Sequence, residues 1–135
     1  MMRRAALGLA AAALAAAITG CGLNVDLGDL FLVTRTGSGP KLTLLVDDGG
    51  TITCNGGKQK MLTSSELITA RDLAQDLSTD ATNKLTIPAP ADTVYQYTVK
   101  LQQGTISFPD RAATDHKYLG QLEAFILEAS QQYCS

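Results

Sequence analysis

Leu42, Leu44 and Val46 alternate along the chain and so fall on one side of an extended segment, which predicts a strand with one buried face. The stretch before it, residues 30–36, is rich in apolar and β-branched residues, and Gly37-Ser38-Gly39-Pro40 separates the two as a turn. Asp47-Asp48-Gly49-Gly50 contains a second turn signal. Thr51-Ile52-Thr53-Cys54 then reads as a third short strand that Asn55-Gly56-Gly57 ends. Beyond it the period changes. Leu67, Ala70, Leu73, Ala74 and Leu77 recur at three- and four-residue steps, the spacing of an amphipathic helix, and Thr63-Ser64-Ser65-Glu66 ahead of them has the spacing of a capping box. Residues 78–92 contain Pro88 and Pro90 and read as an extended connection. Tyr95, Tyr97, Val99 and Leu101 alternate with Gln96, Thr98 and Lys100, and Gln102-Gln103-Gly104 turns this strand into Thr105-Ile106-Ser107-Phe108, which Pro109-Asp110 closes. From Asp115 onward Leu119, Leu122, Ile126, Ala129 and Tyr133 predict a second amphipathic helix with Cys134 at its end.

The order β-β-β-α-β-β-α predicts an α+β fold, a small antiparallel sheet with both amphipathic helices packed on one face. The other face, with its Thr and Gln residues, is left to solvent or to a partner. One globular domain over residues 29–135 accommodates this pattern, with residues 21–28 as a tether ahead of it.

The first twenty residues follow a different rule. Met1-Met2-Arg3-Arg4 is a short positive start, and residues 5–18 form an apolar run, mainly Ala and Leu, broken only by Gly8. That is the shape of an export signal. As a helix the run would reach about 21 Å, short of the roughly 30 Å hydrocarbon core of a bilayer. Arg3-Arg4 leaves both the general and the twin-arginine export routes open. The run stops at Ile18-Thr19-Gly20-Cys21, which resembles the lipobox of bacterial lipoproteins. The resemblance implies a signal peptide over residues 1–20, cleavage between Gly20 and Cys21, and a diacylglycerol on the Cys21 thiol. The alternative is an ordinary signal cut near residues 15–17. With Cys21 assigned to lipid, Cys54 and Cys134 remain as a pair for a disulfide, as suits an oxidising compartment.

Charge narrows the partners. Removing Arg3 and Arg4 from the 11 Lys and Arg of the 135-residue chain leaves 9 against 13 Asp and Glu, a net charge of −4. The basic residues are scattered, aromatics make up 5% of the chain and Trp is absent, so nucleic acid is not an expected partner. The expected partners are the membrane, through the lipid on Cys21, and an envelope protein.

Candidate chemistry is sparse. His116 is the only His, so a Ser-His-acid or Cys-His set would have to use it, with Asp110 and Asp115 nearby in sequence. Its polar surroundings at a helix start predict a solvated surface residue. One His and two distant Cys do not make a zinc site, Asp47-Asp48-Gly49-Gly50 lacks the ligand spacing of a calcium loop, and Asn55-Gly56-Gly57-Lys58 lacks that of a phosphate loop. No catalytic residue, metal or cofactor is expected. Spacing gives no case for Asp110 and Glu123 as paired carboxylates, and the acidic residues, in turns and on polar helix sides, are expected to titrate without large shifts.

The segments Arg35-Thr36-Gly37, Leu44-Leu45-Val46-Asp47, Cys54-Asn55-Gly56-Gly57, Ala70-Arg71-Asp72-Leu73, Tyr97-Thr98-Val99 and Gly104-Thr105-Ile106-Ser107-Phe108 resemble a family of actinobacterial lipoproteins of unknown function. The element order and Arg35-Thr36-Gly37 are also similar to emfourin-type inhibitors of metalloproteases, although Ser38 stands where that pattern has a second Gly. The expectation is a non-enzymatic binding module held at the extracytoplasmic face of the cell membrane. An emfourin-like protease inhibitor is the alternative, and a small hydrolase built on His116 the third reading.

Overall fold

The computed structural model describes residues 25–135. The leader, the junction between Gly20 and Cys21, and the first part of the tether lie outside the described residues.

Ten elements follow one another: β1 (Asp29–Gly37), β2 (Leu42–Asp47), β3 (Thr51–Cys54), β4 (Gln59–Met61), α1 (Ser64–Asp76), α2 (Ser78–Thr82), β5 (Tyr95–Leu101), β6 (Gly104–Pro109), a 3₁₀ turn (Asp110–Thr114) and α3 (Lys117–Tyr133). The six strands form one antiparallel sheet in the order β4-β3-β2-β1-β5-β6. The expected α+β architecture is present. Phe31 and Val33 of β1, Leu44 and Val46 of β2, Ile52 of β3, Val99 of β5 and Ile106 and Phe108 of β6 are buried on one face. Leu73, Leu77, Leu119, Leu122 and Ile126 of the helical layer close this core from above. Burial of such side chains, at roughly 25 cal/mol per Å² of apolar area, is the main force holding the layers together.

The capping box forms as its spacing predicts. Glu66 N–H donates to Thr63 Oγ1 at 3.2 Å, and Thr63 N–H donates back to Glu66 Oε1 at 2.9 Å. Two helix-end donors are thereby satisfied by local sequence alone. Thr63→Ala is expected to cost about 1 kcal/mol, read as a lower urea midpoint with an unchanged slope.

α1 starts beside β4 and its later half lies near Asp29 and Gln102, whereas α3 follows β6 and ends on β3 through a Cys54–Cys134 disulfide. The two helices therefore cross the sheet in opposite directions. Where they meet, Tyr133 hydroxyl donates to Glu66 Oε1 at 2.6 Å and Lys60 Nζ donates to the Tyr133 carbonyl at 2.7 Å, a cation at a helix C-terminus.

Three elements depart from the sequence expectation. β4 forms after Asn55-Gly56-Gly57, although all its residues are exposed and no alternation marks it. Residues 78–92 are not extended throughout: α2 continues the turn begun at Leu77 and buries Ala81. A Cβ at Gly104 would run into the Ala81 carbonyl, so glycine there lets α2 settle on the β5–β6 hairpin. The last helix begins at Lys117, because residues 110–114 are spent in the 3₁₀ turn, whose Ala113 carbonyl would lie 2.9 Å from a Cβ at Gly120.

Candidate functional site

With α1 and α3 on one face, the opposite face of the sheet carries no packed element among the described residues. The register places Leu32 of β1 opposite Leu45 of β2 and Lys100 of β5, and Thr34 opposite Thr43 and Thr98. Thr98 in turn faces Ser107 of β6, and Leu45 faces Thr53 of β3. This is a field of hydroxyls around a leucine pair. Its charged side chains are Lys100 and, at the rim, Asp47. Leu32 is 3% exposed and stands apart from the main core, which places it in this second apolar spot. Gln96 donates its amide to Ser107 Oγ at 3.0 Å, leaving its Oε1 buried without a partner.

Both edges of the sheet are protected. Beyond β6, Ile87 N–H donates to the Ser107 carbonyl at 2.8 Å and Ser107 N–H to the Leu85 carbonyl at 2.9 Å, so residues 85–87 occupy that edge. β4 is three residues long and lies beside Lys58 and Lys60, features that discourage strand addition.

A second candidate lies on the helical side. A groove of about 490 Å³ between α1 and α3 has Leu73, Phe125 and Ala129 among its lining, with Glu66, Asp72, Asp76 and Glu128 around them. Glu66 is already committed to the cap and to Tyr133; burial raises its pKa, but the hydrogen bonds from Tyr133 and Thr63 lower it further, to a net fall. No His or Cys lines the groove.

The third feature is a polar cluster at the end of the sheet where β1 stops and β5 begins. Arg35 lies over the Tyr95 ring at 4.5 Å, and Tyr97 stacks on Phe108 with ring centres 5.2 Å apart. Asp110 accepts from Tyr95 N–H at 3.2 Å and from Arg111 N–H at 3.0 Å. Glu123 of α3 faces this carboxylate. Burial and then the Asp110 charge push the Glu123 carboxyl up to about 7, and its Oε1 is buried without a hydrogen-bond partner. Tyr97 is raised as well, by burial and by the charge of Glu123, against the opposing pull of Arg35. The sequence expectation of carboxyls without large shifts therefore fails at Glu123. The packing of α3 against the 3₁₀ turn brings Glu123 and Asp110 together, which spacing along the chain does not reveal.

Of the other residues singled out from sequence, Cys54 and Cys134 meet in the disulfide, with Cα atoms 5.4 Å apart. His116 is exposed at the N-cap of α3 and makes no side-chain capping bond. Asp48 pairs with Arg71 at 2.6 Å in the β2–β3 turn. Among the described residues no group of three or more His, Cys, Asp or Glu is placed to hold a metal ion, and no helix is long and apolar enough to cross a membrane.

No protein-family model matches this chain, and no curated protein or solved structure does.

Proposed function

We propose that the chain is a lipid-anchored, extracytoplasmic module that binds a protein partner through the uncovered face of its sheet and performs no covalent chemistry of its own. The observation that carries this reading is the sheet face on which no described element packs, six strands wide and almost free of charge, with hydroxyl side chains around the half-buried Leu45 and the buried Leu32. Such a surface is cheap to desolvate and offers donors and acceptors to another protein. The anchor is supported by Ile18-Thr19-Gly20-Cys21 and by the pairing of the other two cysteines. From Cys21 the tether to Val25 spans at most about 14 Å, so the domain would sit close to the membrane. Two chains of a diacylglycerol hold a protein far more firmly than one.

The test has two parts. Cys21→Ser should abolish labelling by a clickable fatty acid, and an unlabelled wild-type protein would contradict the anchor. Thr98→Glu should weaken capture of the partner from intact cells at least tenfold, while His116→Ala leaves it unchanged. Loss on His116→Ala at normal abundance, with Thr98→Glu unaffected, would contradict the non-enzymatic reading.

A second reading draws on Arg35-Thr36-Gly37 at the end of β1, which resembles the early segment of emfourin-type inhibitors, and on the exposed residues 38–41 that follow it. Insertion of that loop into a protease cleft predicts inhibition of a metalloprotease by the purified protein and its loss on Pro40→Asp. Full protease activity in the presence of excess wild-type protein would discard this alternative.

A further inference from the structure

We infer that the end of the domain from which the tether leaves is a contact surface for lipid, with Leu27 set into the headgroup boundary of the membrane that carries the anchor. This rests on the reading of Cys21 as the lipidated residue, and it fixes how the domain stands on that membrane.

Leu27 is 96% exposed, the highest value among the exposed large apolar residues described. The exposure is built into the backbone. Asp29 N–H donates to the Asp26 carbonyl at 3.1 Å, so residues 26–29 form a β-turn with Leu27 and Gly28 at its centre. Gly28 has a φ of +97°, which a type II turn requires at that position and glycine adopts without strain. The turn is then tied down from three sides. Asp26 N–H donates to Asp29 Oδ2 at 2.8 Å, Asp48 N–H of the β2–β3 turn to the Gly28 carbonyl at 2.8 Å, and Gln102 Nε2 of the β5–β6 turn to the Asp26 carbonyl at 2.6 Å. A fixed turn therefore holds a leucine in water, outside the core.

One exposed leucine carries no meaning by itself; its place in the chain does. Six residues lead from Cys21 to Leu27, at most about 20 Å of extended backbone, so the turn cannot lie farther than that from the anchoring lipid. The strand register puts more of the domain at the same end. Asp29 pairs with Asp47, Leu101 with Gly104 and Thr51 with Met61, which gathers the β2–β3 turn, the β5–β6 turn and the end of β4 beside Leu27. Met61 is 68% exposed and adds a second apolar side chain there. The loop at residues 38–41 lies at the opposite end of the strands.

Charge selects the lipid. Asp26, Asp29, Asp47 and Asp48 lie at this end, and of these Asp48 is paired with Arg71. The end is net negative, so it fits headgroups that carry no net charge and is repelled by anionic ones. The diacylglycerol supplies the attachment, and Leu27 supplies orientation. With this end on the bilayer the strands stand away from the membrane, and the uncovered sheet face looks sideways, toward partners held near the same membrane.

The chain contains no Trp, so one introduced Trp reports alone. The lipidated protein is placed on vesicles of phosphatidylcholine brominated near the top of its acyl chains, and attachment is read by flotation. Leu27→Trp is expected to lose about half of its emission relative to unbrominated vesicles, as suits an apolar side chain about 5–10 Å into the headgroup boundary. Ser38→Trp, in the exposed loop at the opposite end, should keep its emission. The native leucine is read by hydrogen exchange: vesicles should slow exchange over residues 26–29 in wild type and leave it unchanged in Leu27→Asp, whose circular dichroism should match wild type. In protein that floats, unquenched Leu27→Trp, quenching of Ser38→Trp at least as strong, or protection retained in Leu27→Asp overturns the inference and leaves the anchor standing. Protein that does not float removes the anchor and the inference with it.

Discussion

The double variant Cys54→Ser/Cys134→Ser should melt about 15 °C below the wild-type protein and still fold. The bond closes a loop of 80 residues, and fixing a loop of that length in the unfolded chain stabilises the native state by roughly 4 kcal/mol in the chain-entropy model. For a domain of this size each kcal/mol shifts the melting temperature by about 4 °C. Folding should survive because α3 has other attachments. Leu119, Leu122, Phe125, Ile126, Ala129 and Tyr133 are buried against the sheet and α1, and Phe31 meets Phe125 edge to face at 5.9 Å. A scanning-calorimetry comparison with and without reductant checks this. Reductant should bring wild type down to the variant and leave the variant unmoved. Equal melting temperatures for oxidised wild type and variant would contradict it.

The second large effect is a loss of stability with rising pH. Glu123 titrates near 7 in the folded protein against about 4.5 in the unfolded chain, so the folded state keeps a proton that the unfolded state has released. Its contribution is fully present below pH 4.5 and is lost as pH rises through 7. Complete transfer of a shift of this size would amount to about 3 kcal/mol, and the partial exposure of Glu123 reduces it to roughly 2. Glu123→Gln keeps the neutral shape at every pH. It should match wild type near pH 4.5 and exceed it by about 2 kcal/mol at pH 8, measured by urea denaturation. A wild-type stability that is flat between pH 5 and 8, or a slope unchanged by Glu123→Gln, would contradict the assignment.

What could be read from the chain follows a physical division between local and non-local causes. The capping box at Thr63 and Glu66 is a contact within one turn, so its spacing was sufficient. Alternation in β2 and β5 identified the buried face because a strand's two sides differ only by parity. The Cys54–Cys134 pair is legible only once the lipobox resemblance sets Cys21 aside, since three cysteines alone leave the pairing open. β4 was invisible because Gln59, Lys60 and Met61 are exposed, and only pairing with β3 makes them a strand. α2 was hidden by Pro88 and Pro90, whose effect reaches the residues next to them and not back to Ser78. Glu123 was missed for the strongest reason. Its neighbours Asp110 and Tyr97 come from the 3₁₀ turn and β5, and no local pattern couples those segments to α3.

The uncovered face was expected in outline, as the side bearing Thr and Gln. Its centre was not, because Leu32 and Leu45 look like core residues in sequence and only the register shows them paired on the far side. Its function is open to one direct experiment. A photo-crosslinking residue is placed at Thr98 on the sheet face and, separately, at Gln121 beside the helical groove, in the full chain expressed in intact cells. The binding-face account predicts a discrete protein adduct from Thr98 and none from Gln121. No adduct from Thr98, or an adduct from Gln121 alone, would contradict it.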